Sequence, residues 1–452
     1  MKTKTTFVCQ ECGYDTPKFM GKCPECGAWN SLKEMRFAKG GDKSESGANV
    51  IGDMDRPIEL GNIAYKETLR IRTEFNELNT VLGGGIVLGS ASLIAGDPGV
   101  GKSTLLLQLC LSLAMQGKKV LYISGEESAE QIKMRADRLM KLNNENNHVK
   151  SDWSQNILLL STSDPDYAIE QVHAVLPELI VVDSVQTMQS KNLEGLAGAV
   201  GQVRYTAMHF IRIAKQKAVP LILVGHVTKE GMVAGPMVLS HMVDTVLFLE
   251  GEKFAKTRIL RSLKNRFGPV DEVGIFMMEE EGMKEVTNPE QLFLSGNREQ
   301  APGSVLVATL EGSRAFLVEL QALVVSSKLA MPRRVVSGLD SRRVELLLAV
   351  LQKHARLPVE TMDVFVNVAG GLKLADPGVD LGICLAVFSS LKNISLPGTV
   401  GIAEIGLLGE LRSVAGLDKR TREAEKLGYK QIITAKTHKG IRDVLNGLGK
   451  GE

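Results

Sequence analysis

Residues 92–104 read Ser-Leu-Ile-Ala-Gly-Asp-Pro-Gly-Val-Gly-Lys-Ser-Thr, and they run directly into Leu-Leu-Leu-Gln-Leu-Cys-Leu-Ser-Leu-Ala-Met. A short apolar run, then Gly-x-x-x-x-Gly-Lys-Ser, then apolar residues spaced by three and four predicts strand, loop and helix in that order. Few architectures accept that succession. The glycines let consecutive backbone N–H groups curl around an oligophosphate, and the helix N-terminus adds its partial positive charge. Gly96, Asp97, Pro98, Gly99, Val100, Gly101, Lys102, Ser103 and Thr104 are the candidate cradle. Lys102 is expected at the β- and γ-phosphates and the Ser103 hydroxyl at a Mg²⁺ position. The segment thus calls for an α/β core with ATP and Mg²⁺ as cofactors.

Three further apolar runs end in groups suited to the same chemistry. Residues 178–184, Glu-Leu-Ile-Val-Val-Asp-Ser, predict a strand whose terminal Asp183 makes a second contact to Mg²⁺. Residues 120–127, Val-Leu-Tyr-Ile-Ser-Gly-Glu-Glu, put two acids at a strand end. Ligands of open parallel sheets sit beyond the carboxyl ends of the strands, so Glu126 is the candidate to orient the attacking water. Glu127 suits that role or the capping of the following helix equally. Residues 220–229 end in His226 and Lys229, placed either to sense the γ-phosphate or simply to close a strand. No Asn-Lys-x-Asp sequence follows in a suitable place, which favours ATP over GTP. A strand pair is expected across residues 241–269, carrying Lys264-Asn-Arg266-Phe-Gly.

Four of the six cysteines lie at Cys9, Cys12, Cys23 and Cys26, as two Cys-x-x-Cys pairs. Two such knuckles supply four thiolates to a tetrahedral Zn²⁺, and a closed four-sulfur site is structural rather than catalytic. Gly13 and Gly27 follow the second cysteine of each pair, where a left-handed backbone turns amides toward the sulfurs. Cys110 and Cys384 sit in apolar runs and read as core thiols. Residues 38–57, rich in Gly, Ser and charge, read as a linker.

Composition narrows the partners. Lys and Arg number 54 against 52 Asp and Glu, a net charge of +2, so any grip on nucleic acid is a local patch and not bulk charge. No apolar run approaches the ~20 residues of a bilayer span, and the N-terminal residues carry no signal-peptide pattern. A cytoplasmic protein with no membrane contact is expected.

The order of strands, acids and helices resembles the RecA-type ATPase core rather than the AAA+ or GTPase cores, and residues 73–90 open it as RecA, KaiC-like and DnaB-type proteins do. Residues 363–382 and 406–429 resemble the proteolytic domain of Lon. In that likeness Asp380 stands where the nucleophilic Ser belongs, and Asp418 stands at the Lys position with Lys419 one residue off. An aspartate cannot form the same acyl-enzyme, so the domain reads as a non-proteolytic scaffold. With the four-Cys module and Lys-Asn-Arg-Phe-Gly, the whole chain resembles the bacterial RadA (Sms) family of recombination and repair ATPases.

That resemblance implies a homo-hexameric ring binding single-stranded and branched DNA, a DnaB-like helicase that promotes branch migration alongside the RecA recombinase. The expected organisation is a zinc module at 1–37, a linker at 38–60, a RecA-like ATPase domain at 61–288 and a Lon protease-like α+β domain at 289–452. Lys264 and Arg266, two apart at a strand end, are expected to act across a subunit boundary, coupling ATP and DNA. Lys229, in the Gly-rich stretch before His241, resembles a DNA-loop contact. Arg333, Arg334, Arg342 and Arg343 either line a DNA path or form rim ion pairs. The competing readings are a RecA-like strand-exchange filament, an ATP-dependent Lon-like protease and a KaiC-like signalling protein.

Overall fold

The computed structural model describes residues 4–9, 15–25, 27, 29, 31–37, 59, 70–143, 153–226, 238–251, 256–270, 272–288, 294 and 301–448. The chain divides into two compact units. One comprises residues 1–250 with 259–270 and 278–284, and the other residues 251–258 and 271–277 with 285–452.

At the N-terminus, β1 (Lys4–Cys9) pairs antiparallel with β2 (Asp15–Thr16) on one side and with β3 (Leu32–Phe37) on the other. Their core is small: Cys9, Cys23 and Leu32 are buried, with Phe7 and Met20 packed against them. β4 (Arg70–Ile71) pairs with β5 (Ile86–Val87) around the short helix α1 (Asn76–Val81).

The centre of the first unit is a parallel sheet made of β6 (Ala91–Gly96), β7 (Val120–Ser124), β8 (Ile157–Ser161), β9 (Leu179–Asp183) and β10 (Leu221–His226). β11 (Thr245–Glu250) joins it parallel to β6, and β12 (Thr257–Asn265) turns back antiparallel, giving the order β12-β11-β6-β10-β9-β7-β8. Every residue of β6, β7 and β9 is buried. This is the pattern of parallel strands covered on both faces, and it explains why they read as continuous apolar runs. Helix α2 (Lys102–Met115) is buried on nearly all sides for the same reason.

Between the phosphate loop and β10 the sequence reading left out one strand and two helices. β8 and the following α4 (Pro165–Val175) lie between α3 (Ala129–Asn143) and β9, and β8 forms the sheet edge beside β7. The start of α4 has a clear chemical cause. Asp164 caps it by accepting from the amides of Asp166 and Tyr167, and Pro165 occupies the first turn. Helix α5 (Val200–Lys217) then leads into β10.

Further along the chain come β13 (Val273–Glu279) and β14 (Gly282–Glu285). The second unit is built on β15 (Ser304–Glu311), β16 (Arg314–Ser326), β17 (Arg334–Ser337), β18 (Met362–Val368), β19 (Thr399–Ile402) and β22 (Gln431–Thr434), ordered β17-β18-β16-β15-β19-β22. The small pair β20 (Glu404–Ile405) and β21 (Leu411–Arg412) completes its strands. The helices are α6 (Ser341–Ala355), α7 (Asp380–Lys392), α8 (Leu417–Lys426) and α9 (Ile441–Leu448).

Two carboxylates at the entry to α7, Asp380 buried and Asp376 half-buried, tie this unit together. Asp380, 1% exposed, is held by both nitrogens of a fork from Arg343 on α6, and its Oδ2 also accepts from the Ile405 amide at 3.1 Å. Asp376 accepts from the Arg420 guanidinium on α8, from the Gly378 amide at 2.8 Å and from the Leu310 amide at 3.1 Å. Burial pushes the Asp380 carboxyl above its ordinary value, and the Arg343 fork and Ile405 amide oppose that shift. Asp418 instead pairs with Lys436 at the surface, and Lys419 reaches the Ser313 carbonyl at 3.4 Å. The four arginines grouped by the sequence reading do not act together. Arg343 is bound to Asp380, and Arg334 donates to the Val359 and Met362 carbonyls. Arg333 and Arg342 are exposed.

Removing one member of such a pair strands the other charge in a buried place. Arg343→Met is therefore expected to lower stability by about 3 kcal/mol. The double variant Arg343→Met with Asp380→Leu should recover most of that loss. Urea unfolding of the two variants and the wild type checks both, and an unaltered midpoint for Arg343→Met contradicts the assignment.

Candidate nucleotide site

The register of the parallel strands brings their carboxyl ends level. His226 lies beside Gly96 and Ser124 beside Asp183. The groups named from separate apolar runs therefore converge at one edge of the sheet. Gly96 and Gly101 show why this loop needs glycine. A Cβ on Gly96 meets the Leu249 carbonyl oxygen at 2.2 Å, and Gly101, at φ +112°, precedes the first residue of α2. Asp97, Pro98 and Gly99 are exposed between them, Val100 is buried, and Ser103 and Thr104 occupy the first turn of α2.

Lys102 is 3% exposed, and its ammonium folds back onto the loop, donating to the Gly96 carbonyl at 2.8 Å and the Asp97 carbonyl at 2.9 Å. Burial lowers its pKa, against which the charges of Asp183, Asp97 and Glu126 act. Asp183 is itself buried and accepts a 2.5 Å hydrogen bond from the Tyr122 hydroxyl. Burial, and then the charge of Asp183, hold the Tyr122 hydroxyl well above its ordinary pKa, so it remains a donor.

The neighbouring acids are sorted by their contacts. Glu127 is engaged by the Arg135 guanidinium of α3, and its amide donates to the Ser124 hydroxyl at 2.9 Å. Glu126 is exposed toward the site, accepts from the Ser184 hydroxyl at 2.7 Å and lies 3.4 Å from His226 Nε2. The His226 contact is a charge-range approach and not a formed hydrogen bond, since neither ring nitrogen has a hydrogen-bond partner among the described residues. Gln186 fixes the backbone of His226 from both sides, accepting from its amide at 2.8 Å and donating to its carbonyl at 2.9 Å. Tyr122, Ser184 and Gln186 went unnoticed in the sequence. Tyr122 reads there as a core aromatic, although its position opposite Asp183's strand follows from the parallel register.

Lys264 and Arg266 are not part of this cluster. Lys264 donates to the Ser240 and Val243 carbonyls at 2.7 and 2.8 Å, and Arg266 pairs with Asp244 at 3.2 Å. Asn265 aligns with Thr245 and Thr245 with Ser92, so this pair stands at the opposite end of β6 from Gly96. Four residues of strand, about 13 Å, separate the two ends. Burial lowers the Lys264 pKa, the charge of Arg266 adds to this, and Asp244 opposes it. Phe267 is held through its carbonyl by Arg70 at 2.6 Å. Lys229 lies outside the described residues.

In the N-terminal module, Cys9 and Cys23 are buried in one cluster, and Cys9 Sγ is 3.1 Å from the Ser31 hydroxyl. Gly27 has the left-handed backbone expected after the second knuckle, φ +73°, and its amide donates to the Cys23 carbonyl at 2.9 Å. Cys12, Cys26 and Gly13 lie outside the described residues, so no set of three metal-ligating side chains is found among those that are described. The first cysteine of each pair is nevertheless in place, and the donor chemistry fits Zn²⁺. Among the described residues no helix is long and apolar enough to cross a membrane.

Comparison with known families agrees with this geometry. The model of the AAA domain matches residues 57–232, and that of the rubredoxin metal binding domain, a zinc ribbon, matches residues 7–34. The core is thus a RecA-like P-loop fold that binds ATP, preceded by a zinc ribbon. The chain is 45% identical over 434 residues to the DNA repair protein RadA of Bacillus subtilis, covering 96% of this chain and 92% of that protein. It is 44% identical over 440 residues to the protein of that name from Listeria monocytogenes, covering 97% and 93%. It is 42% identical over 448 residues to that of Streptococcus pyogenes, covering 99% and 96%. Among solved structures it is similar to a KaiC-like protein from Pyrococcus horikoshii OT3, at 16% identity and TM-score 0.39, and to the RadB recombinase, at 23% and 0.38. Each of these covers 48% of this chain and 99% of its own.

Burial, and next the charge of Lys102, depress the His226 pKa below 6.5, with Glu126 and Asp183 opposing. A depressed pKa means the imidazole is neutral at pH 7 and protonates only as pH falls below its ordinary range. The ring signals of His226, assigned by their loss in His226→Gln, are expected to titrate with a midpoint under 6.5. A midpoint above that value contradicts the half-buried placement within reach of the Lys102 charge.

Proposed function

Because the chain belongs to the RadA family of DNA repair proteins, we propose that it is an ATP-driven translocase on single-stranded and branched DNA. In this reading it is a cytoplasmic homo-hexameric ring that promotes branch migration of recombination intermediates alongside a RecA recombinase. Its domains are a zinc module at 1–37, a linker at 38–60, an ATPase domain at 61–288 and a Lon-like scaffold at 289–452.

The chemistry is phosphoryl transfer from ATP to water. The backbone amides of residues 96–104 cradle the phosphates, and Lys102 leaves the carbonyls of Gly96 and Asp97 to meet the β- and γ-phosphates. Glu126 orients the attacking water and takes its proton, while the Ser184 hydroxyl holds the carboxylate in place. The Ser103 hydroxyl and Asp183, itself held by Tyr122, would hold Mg²⁺. The ion supplies charge neutralisation at the phosphates when bound. His226 sits between Glu126 and the Gln186-fixed end of β10, so loss of the γ-phosphate reaches the segment that follows.

One observation carries the step from ATPase to ring motor. Lys264 and Arg266 are gathered at the end of the sheet remote from their own phosphate loop. Cations in that position serve a neighbouring subunit's nucleotide, as arginine fingers do, and a ring supplies such a neighbour. The scaffold reading of the second unit rests on Asp380: a carboxylate enclosed by Arg343 and the Ile405 amide is no nucleophile.

Strand displacement from a forked DNA is expected with ATP and not with Lys102→Ala or Glu126→Gln, whereas Glu127→Gln keeps most activity. A wild type that hydrolyses ATP but never separates the strands rules out the translocase. Arg266→Ala alone is expected to lose DNA-stimulated ATP hydrolysis at least tenfold, as a finger does. Mixing Arg266→Ala with Lys102→Ala should restore part of the activity, because some interfaces then hold an intact Lys102 opposite an intact Arg266. No recovery on mixing argues that the arginine acts within its own subunit.

A further inference from the structure

Helices α6, α7 and α9 of the second unit pack together and leave a recess between them that none of the roles above uses. It lies at the carboxyl end of α7, about 18 Å along the helix axis from Asp380. Its volume is about 420 Å³, within the roughly 300–1,000 Å³ of ligand pockets. Leu357, Phe388 and Leu445, all buried, form the floor together with the half-buried Ile394. Arg356, Lys392 and Arg442 stand exposed at the rim. No carboxylate lines the recess, and none of these three cations has an ion-pair partner among the described residues.

The chain itself fixes the walls. α6 ends on Arg356 and α7 on Asn393, both left-handed at φ +55°, and each turn folds the next apolar residue back toward its helix. The Leu357 amide donates to the Leu351 carbonyl at 3.3 Å, and the Ile394 amide to the Ser389 carbonyl at 3.0 Å. The Ser389 hydroxyl accepts from the Gly303 amide at 2.8 Å and donates to the Ile394 carbonyl at 2.5 Å. Helix electrostatics account for only two of the cations. Arg356 and Lys392 lie at helix carboxyl ends, where positive charge is favourable, but Arg442 lies in the first turn of α9, where it is not. The carbonyl ends of α6 and α7 bring about −0.5 of a charge each. Three full positive charges outweigh them, and the recess stays positive.

We propose that this recess binds a short acidic peptide segment of a partner protein. A large apolar side chain sits on the floor, and the flanking carboxylates meet Arg356, Lys392 and Arg442. An anchor side chain in an apolar recess supplies affinity, while the cationic rim orients an acidic partner and speeds its approach. A phosphodiester backbone satisfies the cations but leaves the floor uncovered, so a peptide offering both groups in adjacent residues fits better. The inference is independent of the ATP and DNA reading above.

The test uses the full chain and the anisotropy of two fluorescein-labelled peptides, Asp-Glu-Asp-Phe-Asp-Glu and the same peptide with Ala in place of Phe. The first is expected to bind, and the Ala form to bind roughly tenfold more weakly for want of its apolar anchor. Arg356→Glu with Arg442→Glu is expected to weaken the Phe peptide by roughly tenfold or more. Arg356→Gln with Arg442→Gln is expected to show a smaller loss in the same direction, which guards against misfolding of the charge-reversed form. Lys328→Glu with Lys430→Glu makes the same charge change on exposed residues elsewhere in the unit and is expected to leave binding within about twofold. Equal weakening in that control reduces the effect to bulk charge and overturns the recess. So does full affinity in both recess variants, equal binding of the two peptides, or a wild type that binds neither. Labelled oligo(dT) is expected to bind Arg356→Glu with Arg442→Glu within about twofold of the wild type. A tenfold loss there gives the recess to nucleic acid and overturns the peptide assignment.

Discussion

A buried ammonium surrounded by carboxylates organises the first unit. Lys102 is taken out of water and held by two loop carbonyls, with Asp183, Asp97 and Glu126 supplying the opposing charge. Such a charge costs several kcal/mol to desolvate unless it is well paired. The arrangement therefore demands that the strands carrying Asp183 and Glu126 end level with the strand carrying Gly96. Parallel register meets that demand, pairing His226 with Gly96 and Ser124 with Asp183. The loop carbonyls hold the lysine against the loop itself.

The second unit solves a related problem differently. Asp376 and Asp380 both lie where the chain enters α7, and each is neutralised by an arginine from another helix. These pairs fix α6 and α8 against the start of α7. They also commit Asp380 to Arg343 and the Ile405 amide. A side effect is that α8, pinned by Arg420, holds Lys419 and Arg422 on an outward face that cannot turn inward.

Much of the nucleotide site was legible in the sequence. Contiguous groups, such as Gly96 to Thr104, carry their geometry in the order of residues, since a strand, a tight loop and a helix follow from local chemistry. Asp183 was legible as an acid closing an apolar run. The edge strand β8 was not, because Ile157–Ser161 is short and only half-covered, although an Asn-, Ser- and Asp-rich stretch precedes it. Tyr122 was not either, because an aromatic in a strand interior reads as core until its hydroxyl is seen against Asp183.

The sequence by itself determined the phosphate loop, the zinc-ribbon cysteine spacing and the alternation of strands and helices, all of which rest on near neighbours along the chain. Only the tertiary structure gave Glu126 and Glu127, identical and adjacent, different partners. Arg135 takes one, and Ser184 and His226 face the other. It likewise decided that Lys264 and Arg266 stand away from their own phosphate loop, and that Arg343 is structural while Lys419 and Arg422 are exposed. The physical reason is common to these cases. Which way a charged side chain points depends on the nearest opposite charge in space, and chain folding alone brings that partner near.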